Sequence, residues 1–117
     1  MTPEEYLTGH PLAQDVFDTV RALTAETGAE VRTTTSQIAF RRRRGFAFLW
    51  LPGRYLAHPT ADVVLSVDLG RHDDSPRWKE VAHPASGHWM HHLEIHALPE
   101  VDDEVAGWLR EAAERAA

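Results

Sequence analysis

Residues 36–52 read SQIAFRRRRGFAFLWLP, two apolar runs of alternating pattern with a basic turn between them. Successive side chains of a strand point to opposite faces, so every second residue of each run shares a face. Four arginines lead into Gly45, which readily takes the positive φ of a tight reversal. The stretch predicts a β-hairpin with a cationic tip and an aromatic face that belongs to the core. The residues predicted on core faces are Ile38, Phe40, Phe46, Phe48 and Trp50.

Further strands and two main helices are predicted on either side of this hairpin. Apolar residues recur at helical spacing before it and again near the end of the chain, and Gly28 is a good stop for the first helix. A capping box at Thr2 and Glu5 predicts one more short helical turn. The connection at residues 78–81 has no assignment. The predicted elements are a helix at residues 12–23, strands at 30–35, 63–69 and 88–96, and a helix that begins at Asp102 or Asp103.

This order predicts one α+β domain over residues 1–117, with a helix, about five mostly antiparallel strands and a helix. Short turns between successive strands favour antiparallel neighbours. Both helices then pack on one face of the sheet as a two-layer sandwich. The opposite face is expected to be partly open, and such a face is a natural place for a ligand or a partner.

The amino-acid composition argues against several classes of function. The chain has no cysteine, which excludes disulfides and thiolate chemistry. No apolar run reaches the roughly 20 residues of a membrane span, and the N-terminus lacks a signal-peptide pattern. We therefore expect a soluble cytoplasmic protein. The net charge of −6 makes nucleic acid an improbable partner, although the basic residues in the middle of the chain predict a local cationic surface.

Several segments resemble a known family. They are SQIAFRRRRGFAFLWLPGRYL, SPRWKEV, HWMHHLEIH and VDDEVAGWLREA, and the resemblance also includes the N-terminal TPEEYLTGHP. In order and spacing they are similar to the bacterial family catalogued as domain of unknown function 5655. Because that family is uncharacterised, the resemblance implies a fold and no activity. The layout is also similar, more distantly, to small bacterial proteins with a frataxin-like helix–sheet–helix fold; this second similarity is one of topology and implies no iron binding.

The arginine run predicts a binding site for a small anion or an acidic protein segment. Guanidinium groups grip phosphates and carboxylates bidentately, and alternation places Arg42 and Arg44 on the same side of the chain. Each feature has an alternative interpretation. The arginine hairpin could serve only to protect a sheet edge from aggregation, and Trp78 could pack in the core. His91 could be a general acid–base or a core histidine. The predicted ligand-binding residues are Arg42, Arg44, Arg54, Trp78, Lys79 and His91.

The last strand is rich in histidine and suggests a second kind of site. His92, Glu94 and His96 occupy alternate positions and share a face, and imidazole and carboxylate groups ligate zinc, iron or nickel. The simpler interpretation is a polar strand face in water. The sequence thus predicts a binding module with no cofactor. The alternatives are a metal-assisted enzyme with a divalent cation at these residues, and an interaction or homodimer module.

Overall fold

Three helices pack against a six-stranded antiparallel sheet, which makes the protein an α+β fold. The computed structural model describes residues 1–117. The helices are α1 (Pro3–Tyr6), α2 (Pro11–Thr24) and α3 (Asp103–Arg115). The strands are β1 (Glu30–Thr33), β2 (Ile38–Arg41), β3 (Gly45–Trp50), β4 (Val63–Leu69), β5 (Glu80–Ala85) and β6 (His88–Ile95).

The strand order across the sheet is β1-β2-β3-β4-β6-β5, so the last strand lies between β4 and β5. The sequence predicted about five strands, and β5 is the one it missed. The connection from β4 to β5 crosses β6 on the side of the helices, where the ring of Trp78 lies 4.1 Å from that of Trp108 in α3. Residues 70–79 therefore add a short segment to the helical layer.

The core lies between the sheet and the two long helices. β4 is buried along its whole length, and every second residue of it points toward the helices. On the helical side, α2 contributes Phe17, whose ring centroid lies 5.9 Å from that of Phe40. The predicted layering, with both helices on one face, is confirmed. The central core residues are Val16, Phe17, Val20, Ile38, Phe40, Leu49, Leu65, Val67, Leu93, Val105 and Leu109.

The helix ends follow the sequence signals. Thr2 Oγ1 accepts a hydrogen bond from the Glu5 amide at 3.1 Å, and the Glu5 carboxylate accepts one from the Thr2 amide at 3.1 Å. At α3 the Asp102 carboxylate accepts from the Val105 amide at 3.1 Å, which settles the predicted start in favour of Asp102 as N-cap. Each side chain pairs an amide that the first helical turn leaves without an intrahelical acceptor. No helix has both the length and the apolar character that crossing a bilayer requires.

The predicted face of the hairpin is wrong for two aromatic residues. Phe40 pairs with Ala47 and Arg41 pairs with Gly45, so Phe46 is the extra residue of a bulge. Phe46 remains in the core, but the regular alternation after it points Leu49 toward the helices. Phe48 and Trp50 consequently lie on the opposite face of the sheet.

Candidate functional site

A groove on the open face of the sheet is built from residues of β3, β4 and β6 and of two loops. One register row crosses the sheet from Ala39 through Phe48 and Ser66 to His92. The β1–β2 turn and the segment after β3 form one wall of the groove. The groove measures about 330 Å³, and its lining residues are Ser36, Gln37, Phe48, Trp50, Tyr55, Ser66, Met90 and His92.

Trp50 forms the central wall of this groove and is held on several sides. Its ring packs edge-on against Tyr55, with centroids 6.0 Å apart, and against His92, with centroids 6.2 Å apart. Its Nε1 donates a hydrogen bond to Ser66 Oγ at 2.9 Å. The Tyr55 hydroxyl in turn donates to the Ser36 carbonyl at 2.7 Å. The groove is therefore formed before any ligand arrives.

Ser66 and His92 continue the hydrogen-bond chain that starts at Trp50. Ser66 Oγ lies 2.6 Å from His92 Nδ1. Burial lowers the pKa of His92, and a smaller repulsion from His91 acts in the same direction, while the charge of Glu80 opposes both. The imidazole is consequently neutral at physiological pH. His92 Nε2 makes no hydrogen bond within the protein and is not a buried atom, so it opens to the solvent side.

The Ser66–His92 pair resembles the start of a nucleophile–base arrangement, but its environment does not suit acyl transfer. A catalytic serine must expose its oxygen to the substrate and lie beside donors for an oxyanion. Ser66 is only 2% exposed, and its oxygen already accepts the Trp50 hydrogen bond. The geometry instead fixes the orientation of the His92 ring at the floor of the groove.

The predicted arginine site lies elsewhere and serves the end of α3. Arg42 donates from Nη1 to the Ala113 carbonyl at 3.1 Å, and Arg44 donates from Nη2 to the Arg115 carbonyl at 3.1 Å. These carbonyls belong to the last turn, where intrahelical donors run out and the helix dipole is negative. Arg42 and Arg44 lie on one side, as predicted, but they belong to the turn between β2 and β3, and that side faces a helix end.

Arg54 is also engaged within the protein. Its guanidinium lies 4.3 Å from the centroid of the Tyr6 ring and donates to the Tyr6 carbonyl at 2.8 Å. The Tyr6 hydroxyl donates to Ser36 at 2.9 Å and accepts from the buried Leu51 amide at 3.3 Å. Arg54 thus fastens α1 to the loop behind the groove wall.

The side chains of Trp78 and His91 lie on the helical side of the sheet, away from the groove. His91 is fully buried; its Nδ1 lies 2.8 Å from the Trp89 carbonyl, and its Nε2 accepts from the Asp73 amide at 3.0 Å. Trp78 donates from Nε1 to the Asp73 carboxylate at 2.9 Å. Burial of Asp73 favours its neutral form, but hydrogen bonds from Trp78, the Ser75 amide and an arginine outweigh it and lower the pKa of Asp73. Both predicted ligand residues therefore anchor the β4–β5 connection.

Lys79 is the one predicted cation that lies close to the open face. It is exposed and borders a second hollow of about 270 Å³ that adjoins the first along Trp50 and His92. Glu80 and Glu94 line the same hollow, so the cation there is balanced by two carboxylates.

The three predicted metal ligands do not form a cluster. His92 turns Nδ1 toward Ser66, and Glu94 bonds to the Thr60 hydroxyl, while His96 Nε2 lies 3.8 Å from a Glu94 oxygen. No group of three or more His, Asp or Glu side chains is placed to hold a metal ion. The ligand-binding and metal assignments both stay predictions. A hollow of about 450 Å³ brings Trp78 and Lys79 together with Glu94 and His96, but the predicted arginines, His91 and His92 do not line it.

Sequence reasoning missed most of the groove. Ser66 looked like an ordinary polar residue of the β4 alternation, and Met90 like one of a polar strand face. The signal that finds them is the direct pairing of β4 with β6, which sets Ser66 opposite His92. That pairing skips β5, and nothing in the sequence indicates the skip.

Comparison with known proteins places the chain in a family. Residues 3–115 match the family model described as Domain of unknown function (DUF5655). The chain belongs to the DUF5655 family. The match covers nearly the whole fold, including the groove, and confirms the resemblance noted in the sequence. No curated protein and no solved structure matches this DUF5655 chain, so the frataxin-like layout stays a prediction.

Proposed function

We propose that this DUF5655 protein binds a small, flat, largely apolar molecule in the open-face groove. The observation that carries the proposal is that Phe48, Trp50, Tyr55 and Met90 lie together on the side of the sheet opposite to the core. Single exposed apolar residues are common, but a contiguous group around a concave surface is typical of a binding site. A hollow of about 330 Å³ suits a ligand of one or two rings.

The fixed position of Trp50 favours a ligand-binding groove over an apolar patch that is exposed but binds nothing. Its ring is held by the Ser66 hydrogen bond and by edge contacts with Tyr55 and His92. A wall that is already ordered loses little conformational entropy when a ligand packs against it, and affinity is higher for that reason.

Neither part of the arginine and aromatic surface predicted from the sequence enters this proposal, because Trp78 packs against Trp108 and does not line the groove. Arg42, Arg44 and Arg54 all donate to backbone carbonyls. An anion that recruited them would have to compete with those bonds. None of the eight residues that line the groove is an arginine, lysine, aspartate or glutamate.

Titration with indole, followed by NMR, tests the proposal. We expect saturable shifts of the Trp50 indole signal and the Met90 methyl signal, with a Kd of about 1–10 mM for so small a probe. Tyr55→Ala should weaken binding about 2- to 12-fold, since an aromatic contact contributes about 0.5–1.5 kcal/mol. Leu23→Ala is the matched control, because Leu23 is 41% exposed on α2, in the layer opposite the groove. Shifts that never saturate, or that Leu23→Ala reduces as much as Tyr55→Ala does, would overturn the proposal.

A further inference from the structure

The positions of the hydrogen atoms in the hydrogen-bond series Trp50–Ser66–His92 follow from which groups can donate. Indole Nε1–H only donates, so Ser66 Oγ accepts from Trp50. Ser66 is 2% exposed, and its own O–H needs an acceptor, which the nearby His92 Nδ1 provides. The opposite tautomer, with the proton on Nδ1, leaves the Ser66 hydrogen without any acceptor. His92 therefore carries its proton on Nε2.

This assignment leaves one free hydrogen-bond donor, Nε2–H, on a residue that lines both the apolar groove and the hollow beside it. Nε2–H has no partner within the protein: the carboxylates of Glu80 and Glu94 line the adjoining hollow, but neither accepts a hydrogen bond from it. Protonation of the ring does not alter the outcome, because both nitrogens of an imidazolium donate. A ligand that fills the groove without an acceptor would strip water from this N–H and leave it unpaired.

The charges around His92 decide what kind of acceptor fits. Glu80 lies directly opposite His92 in the β5–β6 register, and Glu94 is the next residue on the same face of β6. Both carboxylates border the hollow that adjoins the groove, with Lys79 as the one nearby cation. The net field is therefore repulsive for an anion. A carboxylate ligand would also lose its hydration in a groove with no cation on its walls.

We infer that the ligand places an uncharged hydrogen-bond acceptor, such as the carbonyl oxygen of a lactam or cyclic amide, on His92 Nε2–H. The inference rests on the proposed function and specifies its ligand class. His92 is then the residue that selects the ligand, and Ser66 is a positioning residue that acts by fixing the His92 tautomer.

Three bicyclic probes of similar size separate the alternatives. Indole has no carbonyl, oxindole has a neutral one, and indole-3-carboxylate has an anionic acceptor. We expect oxindole to bind about 2- to 12-fold more tightly than indole, as one hydrogen bond contributes about 0.5–1.5 kcal/mol. His92→Phe should remove this preference, so that indole and oxindole bind the variant equally. Ser66→Ala should reduce the preference and shift the His92 ¹⁵N signals toward a mixture of tautomers, and Ser66→Thr should restore both.

Each outcome has a distinct meaning. Equal binding of indole and oxindole, with shifts confined to the groove, overturns the inference and leaves the proposed function standing. A preference that survives His92→Phe also overturns it. Tighter binding of indole-3-carboxylate than of oxindole shows that the ligand is an anion. Absence of saturable binding by all three probes overturns the proposed function itself.

Discussion

Removal of the arginines at the hairpin tip should destabilise the fold through α3. In Arg42→Ala/Arg44→Ala, the last turn of α3 loses two charged donors, each 3.1 Å from a carbonyl oxygen. A cation at an exposed helix C-terminus contributes about 0.3–1 kcal/mol, and a typical hydrogen bond contributes about 0.5–1.5 kcal/mol. Because these terms overlap, we expect the double variant to lose about 1–2 kcal/mol of unfolding free energy. For a domain of this size the loss corresponds to a fall in Tm of about 4–8 °C.

Urea denaturation followed by circular dichroism measures this loss, and Arg43→Ala is the matched control. Arg43 lies in the same turn and carries the same charge, but only its backbone amide is engaged, at 2.8 Å from the Ala116 carbonyl. The control therefore includes the effect of a more negative net charge. Salt should reduce the loss in the double variant, because charge–dipole interactions at the surface are screened.

The reasoning fails if Arg43→Ala destabilises the protein as much as each of the other two single substitutions. It also fails if the double variant unfolds at the urea concentration of the wild type. In the first case the turn would act through its charge, and in the second the hydrogen bonds to α3 would have no net value in water.

Three other substitutions test buried or capping polar groups. His91→Leu leaves the amide of Asp73 without its acceptor, so we expect a loss of about 1–3 kcal/mol in urea denaturation and faster hydrogen exchange at that amide. Tyr6→Phe leaves the buried Leu51 amide unpaired at a similar cost of about 1–3 kcal/mol. Because burial raises the pKa of Tyr6 above 10.0, the contribution of Tyr6 is present below pH 10.0 and is lost as the pH rises through the folded value, which stability measured at alkaline pH should show. Asp102→Ala removes the N-cap of α3 and should cost about 1 kcal/mol at pH 7. Hydrogen bonds from an arginine and a backbone amide lower the pKa of Asp102 below 3.8, so this difference from the wild type should shrink as the pH falls through the folded value.

Each of these substitutions has a matched control. His72→Leu changes an exposed histidine of the same connection and should leave the Asp73 amide protected. Tyr55→Phe removes a hydroxyl that bonds only to an exposed carbonyl, and should cost less than Tyr6→Phe. Asp102→Asn keeps a capping acceptor without the charge, and its stability should fall between those of the wild type and Asp102→Ala. A larger effect in any control than in its partner would contradict the assigned contacts.

The fold was predictable where sequence signals are local. Thr2, Gly28 and Asp102 mark helix ends by their own chemistry, and each lies where expected. The faces of β3 were not predictable, because this strand is apolar on both sides and alternation then indicates no preference. The bulge at Phe46 depends on how β2 and β3 pair, which is not a property of either strand alone. β5 was missed because Pro84 argues against a strand except at a sheet edge, where β5 in fact lies.

The sequence was sufficient to predict an open sheet face as a candidate site, but not which residues line the groove on it. An open sheet face with His92 on it followed from the α+β layout and the alternation of the last strand. Which aromatic residues surround His92 depends on the order of the strands and on two loops. The arginines were misleading for a physical reason: guanidinium groups bind backbone carbonyls at a helix end by the same hydrogen bonds with which they bind anions.

The position of β6 in the sheet also determines the order in which the strands can pair while the chain is being synthesised. Strands β1 to β4 pair with neighbours that precede or follow them closely, so these four strands can assemble as soon as they leave the ribosome. β5 pairs only with β6, and β4 keeps an unpaired edge until β6 arrives. Because α3 is made after all six strands, the nascent sheet meanwhile exposes an apolar face in addition to the open edge of β4. Chaperone contact with this chain should therefore concentrate on nascent chains that end between β4 and α3.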